Sequence, residues 1–367
     1  MKELNPNQKI AEVFYRFNVG IPIDDMLEDV FKLILTNPQV MARDVQLGSF
    51  LTGLMIKGSN SKEIVSLIRT ALNIDGLIRF KPSLPLDEKL VCVAGSGKKG
   101  FKTFNISTPA CIVAAAGGAY VSKPGSHSTS SLTGSVDFAS IAGANILSTQ
   151  EMTEVLLSTK FGLFSIENLI PKFDSVYGGR AFAPTPLSFG LPAISNPVVC
   201  DSLLYGLSHP NIELSLEVLK DLGYKEAFVV SSSYDNIHYI DELSSLKSNL
   251  VGRIENGEIH SVEEIDVSKI YNEKFSSPTD IESGKSLIEN VQMGVSVLNG
   301  KGTSYRTRTV ALNAGIILLL ASKVNNIIDG YNYSIDLIKS GKAFKKLEDF
   351  IEATGGNTNS LKMLKGG

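Results

Sequence analysis

The sequence predicts an α/β fold: a small N-terminal helical domain, then a larger α/β domain with a mainly parallel central sheet flanked by helices. Two observations support this prediction. Helical patterns occupy the chain up to about residue 80, and short valine-rich apolar runs alternate with helical segments from Leu90 onward. Strands that alternate with helices along a chain form parallel sheets. With 367 residues, of which 43% are hydrophobic, the chain can bury a large core.

The N-terminal helices are indicated by their stop signals and their periodicity. Residues 46–57 are apolar on one face and stop at Gly58, a residue type that commonly follows a helix end. We expect Ser61 to cap the next helix. That helix carries one apolar stripe at helical spacing, formed by Ile64, Leu67, Ile68, Ala71 and Leu72.

The strand-and-helix alternation begins after these helices. The apolar runs at residues 90–94, 120–121 and 227–230 predict buried strands. Residues 109–118 and 212–222 predict the helices between them. We therefore assign residues 1–80 to the helical domain, joined by helices from about residues 150–180, and residues 81–367 to the α/β domain.

Composition excludes several classes of protein. A net charge of −3 lacks the basic excess of a nucleic-acid-binding protein. The scattered cysteines Cys92, Cys111 and Cys200 match neither a zinc motif nor a disulfide framework, and they suit the reducing cytoplasm in which we expect the protein. The apolar run at residues 314–321 is too short to span a bilayer and predicts a buried helix, so we expect no membrane partner.

A glycine loop follows the first predicted strand. Gly95-Ser-Gly-Lys-Lys-Gly100 matches the dinucleotide-binding pattern GxGxxG. The helix does not open at these glycines, however, and residues 109–136 contain no acidic residue to hold a ribose hydroxyl. A Walker loop is also excluded, because Phe101 stands where its lysine belongs.

Two interpretations of this loop remain open. Glycines let the backbone approach an anion, and a helix start attracts one. Lys98, Lys99 and Lys102 add positive charge. The loop is therefore either a phosphate or pyrophosphate cradle or an ordinary surface turn.

Several motifs, in order along the chain, resemble those of anthranilate phosphoribosyltransferases. Residues 95–108 resemble the family's glycine loop and Asn-x-Ser-Thr signature, and residues 123–126 its Lys-His-Gly-Asn. Residues 130–137 are similar to its serine-rich Gly-Ser-Ala-Asp segment, and residues 241–244 to its Asp-Glu-x-Ser metal motif. Each motif is weak alone, but their order makes the resemblance specific.

The resemblance implies a magnesium-dependent phosphoribosyltransferase. Such an enzyme moves phosphoribosyl from phosphoribosyl pyrophosphate to anthranilate, in tryptophan biosynthesis, or to a related small aromatic acceptor, and releases pyrophosphate. It implies an active site in the cleft between the two domains, and a homodimer, since the family commonly dimerises through the helical domain.

The family's site residues carry over to matching positions. The resemblance implies catalytic roles for Lys123 and Arg180. Lys123 would contact a phosphate of the donor, and Arg180 would bind the carboxylate of the acceptor. Magnesium is implied at Ser107 and at the adjacent carboxylates Asp241 and Glu242, since hard oxygen ligands suit this ion. The implied substrate-binding set, which also includes Lys123 and Arg180, adds Gly95, Ser96, Gly97, Lys99, Thr103, Asn105, Ser107, Thr108, Ser126, Ser130 and Ser135.

The sequence departs from the family pattern mainly on the acceptor side. Pro124 and Ser126 replace a histidine and an asparagine, and Ile170 replaces a second histidine. In the glycine loop, Lys98 and Lys99 replace a glycine and an aspartate. A different aromatic or heteroaromatic acceptor therefore stays open. A phosphorylase-like enzyme and a non-enzymatic nucleic-acid-binding paralogue also stay open, although the Asp-Glu motif opposes the first and the acidic charge balance opposes the second.

Overall fold

The first part of the chain folds into four helices. The computed structural model describes residues 4–128, 132–271 and 274–364. It contains the helices α1 (Pro6–Val19), α2 (Leu27–Thr36), α3 (Arg43–Lys57) and α4 (Ser61–Asp75). Helix α3 stops at Gly58, which has a φ of 85°, a backbone conformation that glycine adopts without strain. This confirms the predicted end of the helix.

The start of α4 differs from the prediction by one residue. Its capping residue is Asn60, whose side chain accepts the backbone N–H of Glu63, while the Glu63 carboxylate accepts the backbone N–H of Asn60. This reciprocal capping box satisfies two N–H groups at the helix start. Ser61 is therefore the first helical residue and not the cap.

A single mixed sheet forms the centre of the molecule. Its strand order is β3-β2-β1-β4-β5-β7-β8, and the neighbours from β3 to β5 are parallel. Beyond β5 the pairing is antiparallel, with β6 on β5 and β9 on β7. The strands are β1 (Leu90–Gly95), β2 (Tyr120–Gly125), β3 (Phe161–Ser165), β4 (Ser202–Gly206), β5 (Ala227–Ser233), β6 (Tyr239–Ile240), β7 (Ser248–Glu255), β8 (Glu258–Ile259) and β9 (Glu263–Glu264).

Helices flank this sheet, and a 3₁₀ turn spans Pro186–Phe189. The predicted α/β class with a mainly parallel sheet is confirmed. The remaining helices are α5 (Ser107–Ala116), α6 (Ser135–Ala142), α7 (Thr149–Thr159), α8 (Ile166–Leu169), α9 (Pro171–Tyr177), α10 (Leu191–Ile194), α11 (Ile212–Asp221), α12 (Ser268–Tyr271), α13 (Pro278–Ile281), α14 (Leu287–Leu298), α15 (Ser304–Leu320), α16 (Ile327–Lys339), α17 (Lys342–Ala353) and α18 (Ser360–Leu364).

The two faces of the sheet bury separate apolar clusters. Alternate strand residues point to opposite faces, so Val91 and Val93 join a cluster with α5, α15 and α17. Cys92 and Ala94 join the other cluster, together with the N-terminal helices and α11. Helix α15 is buried over most of its length, as its apolar run predicts. Within the described ranges, no helix is both long and apolar enough to cross a bilayer.

One later helix packs on the N-terminal helices. Helix α9 contacts α4, and the carboxylate of Asp75 accepts the backbone N–H groups of Lys172 and Phe173 at 2.8 and 2.9 Å. Asp75 thus satisfies donors at the start of α9, where a negative charge is favourable. Helix α7, by contrast, packs on β3 and α17. The predicted domain boundary near residue 80 stays a prediction.

The strand order reverses across the sheet between β1 and β4. Strands β2 and β3 lie on one side of β1, and β4 and β5 lie on the other. In open α/β sheets, ligands bind at the carboxyl ends of the strands beside such a switch point. Here β1 and β4 end in the register partners Gly95 and Gly206. The residue that packs against both glycines is Asp241.

Replacing Gly206 by alanine tests this close packing. A Cβ atom at Gly206 overlaps the backbone oxygen of Asp241, so β4 or the turn at Asp241 must shift. We expect the free energy of unfolding, measured by chemical denaturation, to fall by roughly 2 kcal/mol or more. Gly48→Ala is the control, because Gly48 lies in α3 and an added Cβ has no neighbour within 4 Å. Equal stability of the Gly206→Ala protein and the wild type would contradict this account of the switch point.

Candidate active site

A cavity of about 210 Å³ lies at the carboxyl ends of β1 and β2, beside the switch point. It brings together motifs that are far apart in the sequence. The predicted site residues that line it are Gly95, Ser96, Gly97, Lys99, Thr103, Asn105, Ser107, Lys123, Ser126, Ser135, Asp241 and Glu242. Of the other predicted residues, Ser130 lies outside the described residues, and Thr108 and Arg180 lie outside the cavity wall.

The glycine loop is held by backbone hydrogen bonds. Ser96 donates its N–H to the carbonyl of Gly206 at 2.8 Å, and Gly100 donates to the carbonyl of Tyr239 at 2.7 Å. Gly97 donates its N–H to Oδ2 of Asp241 at 2.9 Å. A Cβ atom at Gly95 overlaps the same carboxylate oxygen. The loop is therefore anchored at three points, and a side chain at position 95 would displace the carboxylate of Asp241.

Asn105 connects two walls of the cavity at the start of α5. Its Oδ1 accepts the N–H of Thr108 at 3.2 Å, and its Nδ2 donates to the carbonyl of Gly134 at 3.2 Å. Ser107, the first residue of α5, faces the cavity. Thr108 is buried behind it, and its hydroxyl has no hydrogen-bond partner in the described part of the chain. The predicted contact of Thr108 with a ligand therefore stays a prediction.

Lys123 supplies a buried cation. It lies on β2 with only 3% of its surface exposed, and it lines the cavity. The described ranges contain no hydrogen-bond or ion-pair partner for its ammonium group. A buried charge is costly unless it is paired. The cavity beside Lys123 is therefore suited to an anionic ligand.

Lys99 and two carboxylates form a compact charged group that also lines the cavity. Nζ of Lys99 lies 2.7 Å from Oε1 of Glu242, 3.3 Å from Oδ1 of Asp241 and 2.9 Å from the hydroxyl of Thr103. Both acids are buried, with 8% and 5% of their surfaces exposed for Asp241 and Glu242 respectively. We refer to Lys99, Asp241 and Glu242 as the charged triad.

The pKa values of the triad follow from this arrangement. Burial, and then the neighbouring Asp241 carboxylate, raise the pKa of Glu242 to about 8. Burial opposes ionisation of Asp241, but the Lys99 ammonium and hydrogen bonds hold the pKa of Asp241 below its usual value. Burial also opposes the charge of Lys99, yet the two carboxylates raise its pKa. The arrangement therefore favours a charged Lys99 beside a charged Asp241, while Glu242 holds its proton more tightly than an exposed glutamate does.

The serine-rich segment is organised by Asp137. Its carboxylate accepts the N–H groups of Gly134 and Ser128 at 2.9 and 2.7 Å, and it pairs with Nδ1 of His127 at 2.7 Å. The hydrogen bond to Asp137 raises the pKa of His127. These contacts place Ser135, the first residue of α6, at the cavity wall.

Another part of the cavity wall is built largely by α9, a contribution that the motifs do not reveal. Ile170, Phe173 and Tyr177 line the cavity together with the half-buried Asp174, whose pKa is raised by burial. The ammonium group of Lys98 lies 4.8 Å from the centre of the Tyr177 ring. Apart from the predicted departure at Ile170, these residues match no motif and reach the site only because α9 packs on α4.

Arg180 lies beside this cavity and not in its wall. It lines a neighbouring cavity of about 390 Å³ between α3 and residues 177–185. There Nη1 donates to the carbonyl of Gly178 at 2.7 Å, and Nε lies 3.4 Å from the carboxylate of Asp44. The predicted contact between Arg180 and an acceptor carboxylate stays a prediction, and in this structure the guanidinium faces other partners.

Comparison with known proteins identifies the family. The sequence model of the glycosyl transferase family, a/b domain, matches residues 87–344. The anthranilate phosphoribosyltransferase of Methanosphaera stadtmanae is 31% identical over 344 residues, which is 91% of this chain and 95% of that protein. The chain belongs to the anthranilate phosphoribosyltransferase family. It is therefore a glycosyltransferase, as its sequence predicts.

Solved anthranilate phosphoribosyltransferases share the fold. The structure from Thermus thermophilus has a TM-score of 0.76 at 23% identity and covers 93% of this chain and 98% of that one. The enzyme of Saccharomyces cerevisiae, in complex with PRPP and Mg, has a TM-score of 0.74 at 19% identity and covers 90% and 92% of the two chains.

The pKa of Glu242 predicts a pH dependence of stability. Glu242 binds its proton more tightly in the folded chain than in the unfolded chain, where its pKa is near 4.5. Its stabilising contribution is therefore present at low pH and is lost as the pH rises toward 8. Glu242→Gln removes this titration. Urea unfolding at pH values from about 5 to about 8.5 should show the wild type losing more than about 1 kcal/mol relative to the variant. A constant or rising difference would contradict the raised pKa.

Proposed function

We propose that this chain is a magnesium-dependent phosphoribosyltransferase that moves phosphoribosyl from phosphoribosyl pyrophosphate to a small aromatic acceptor and releases pyrophosphate. The main observation behind the proposal is the buried ammonium of Lys123 in the wall of the cavity, which has no partner among the residues that the structure describes. A phosphate group of the donor supplies the anion that this lysine lacks among the described residues. Ser107 and Ser135, the first residues of α5 and α6, line the same cavity, and the start of a helix attracts an anion.

Catalysis in this proposal depends on charge neutralisation and positioning. The bond from the anomeric carbon to pyrophosphate breaks as an acceptor amine attacks, so negative charge develops on the leaving group. Lys123 and backbone N–H groups stabilise that charge. The cavity walls hold donor and acceptor side by side, which lowers the entropic cost of their encounter. In this mechanism Ser107 and Ser135 donate hydrogen bonds to phosphate oxygens.

Magnesium, when bound with the donor, neutralises pyrophosphate charge. The residues proposed to hold it offer hard oxygen donors, which this ion prefers. Ser107 lines the cavity, and its hydroxyl oxygen is suited to bind the magnesium ion. The carboxylates of Asp241 and Glu242 suit the ion chemically, but they already contact the ammonium of Lys99.

Anthranilate is the first acceptor to test, and a different aromatic or heteroaromatic acceptor is the second candidate. Phe173, Tyr177 and Ile170 give the acceptor side an apolar wall suited to an aromatic ring. The position of Arg180 favours the second candidate, because its guanidinium contacts Gly178 and Asp44 in the neighbouring cavity and not the wall beside Phe173. We also retain a homodimer and a cytoplasmic location as proposals.

A pyrophosphate-release assay tests this function. The protein is supplied with phosphoribosyl pyrophosphate, magnesium and either anthranilate or one of a panel of aromatic acids and amines. We expect acceptor-dependent release of pyrophosphate that stops when the ion is chelated. No release with any acceptor would defeat the proposal. Free base formed from nucleoside and phosphate would favour a phosphorylase, and salt-sensitive DNA binding without turnover would favour a nucleic-acid-binding protein.

Lys123→Met tests the lysine on which the proposal rests. Removing the ammonium while keeping a long apolar side chain should lower kcat/KM for phosphoribosyl pyrophosphate at least about a hundredfold. Lys89→Met is the matched control, because Lys89 is exposed and precedes the opposite, amino-terminal end of β1. Steady-state kinetics should show wild-type values for this control. Full activity in the Lys123→Met enzyme would remove Lys123 from the site.

A further inference from the structure

The charged triad contains its own cation. Three oxygen atoms surround Nζ of Lys99: Oε1 of Glu242 at 2.7 Å, the hydroxyl of Thr103 at 2.9 Å and Oδ1 of Asp241 at 3.3 Å. Among the described residues, Lys99 is the only cation that pairs with either acid. Carboxylate and hydroxyl oxygens are also the ligands that a divalent cation would use here.

Burial makes this pairing significant. The side chain of Lys99 is 13% exposed, and the side chains of both acids are 6% exposed. A buried ion pair resists the removal of either partner, because the remaining charge would be left without compensation. The ammonium therefore cannot leave the acids for solvent without another cation to replace it.

The acids and Lys99 are held together by the same loop. Gly97 donates its N–H to Oδ2 of Asp241, and the Cβ position of Gly95 is closed by that carboxylate. Lys99 lies two residues after Gly97. Because Gly97 is hydrogen-bonded to Asp241, this segment of the loop brings Lys99 close to both acids. The backbone of the glycine loop therefore determines where the ammonium group lies.

An ammonium and a magnesium ion cannot share this place. Magnesium lies about 2.0–2.1 Å from its oxygen ligands. An ion bound to the carboxylate oxygen atoms that contact Lys99 would therefore lie within about 5 Å of Nζ, where two cations repel each other in a buried site. The ammonium and a divalent cation therefore compete for the same oxygen atoms.

We propose that Lys99 takes the place of a divalent cation at Asp241 and Glu242. Magnesium then reaches this enzyme only with the pyrophosphate of the donor, on the side of the cavity that carries Ser107. This second statement rests on the proposed function, whereas the first concerns the free protein alone. An enzyme whose two acids are not paired with a lysine would need a metal ion at this position, whereas this chain does not.

Binding of Mn²⁺ to the free protein tests this inference. The loss of the free Mn²⁺ signal in electron paramagnetic resonance reports binding in the absence of any substrate. We expect the wild type to show only weak binding that is unchanged by Glu242→Gln. Lys99→Met should create one site per chain that binds Mn²⁺ at least about tenfold more tightly than the wild type. The double variant Lys99→Met, Glu242→Gln should lose that site.

Lys98→Met is the matched control. It removes a lysine from the same loop, but this ammonium lies over the ring of Tyr177. Its Mn²⁺ binding should equal that of the wild type. A wild-type protein that binds one Mn²⁺ tightly and loses it on Glu242→Gln would overturn the inference, and so would a folded Lys99→Met protein without a new site.

The inference can be tested even if the Lys99→Met protein is unstable, and the test does not require turnover. If that variant does not fold, as circular dichroism would show, the comparison of the wild type with Glu242→Gln decides alone. If the wild type shows no turnover of phosphoribosyl pyrophosphate, the proposed function fails. The Mn²⁺ titrations still test Lys99 in that case.

Discussion

The contact of Asp241 with the ends of β1 and β4 is the constraint on which the rest of the site depends. Gly95 and Gly206 are paired across the switch point, and neither has space for a side chain beside Asp241. This contact fixes the glycine loop, because Gly97 donates to the same carboxylate. The loop in turn sets the place of Lys99. The packing of Asp241 against two strand ends thus sets the positions of the charged triad.

Much of the fold is encoded in local signals. The stop at Gly58 and the apolar run of β1 are read directly from the sequence, because helix ends and buried strands depend on neighbouring residues. The order of the strands and the antiparallel pairing of β7 cannot be predicted from the sequence in this way, because they follow from packing between distant segments. The predicted cap of α4 is wrong by one residue because Asn60 and Ser61 are both good capping residues, and only Glu63 decides between them.

The residues of the candidate site also divide into those that local sequence predicts and those that only the packing of distant segments brings together. Residues within contiguous motifs, such as Asn105 and Ser107, reach the cavity because a strand end or a helix start places them there. Phe173 and Tyr177 cannot be found in this way, since α9 enters the site by packing on α4. The spacing of Arg180 indicates its position along the chain but not the direction of its side chain. The substitution at Lys99 is visible in the sequence, yet its contact with two distant acids requires the fold.

The cap that Asp75 provides to α9 has a mechanical consequence. Asp75 ends α4 and holds two N–H groups at the start of α9, whereas Lys123 and the glycine loop belong to the sheet. The aromatic wall of the cavity is therefore anchored to the N-terminal helices, and the wall that carries Lys123 is anchored to the sheet. Asp75 thus ties the separation between the two walls to the position of α4, so that the width of the cavity depends on how α4 packs on the sheet.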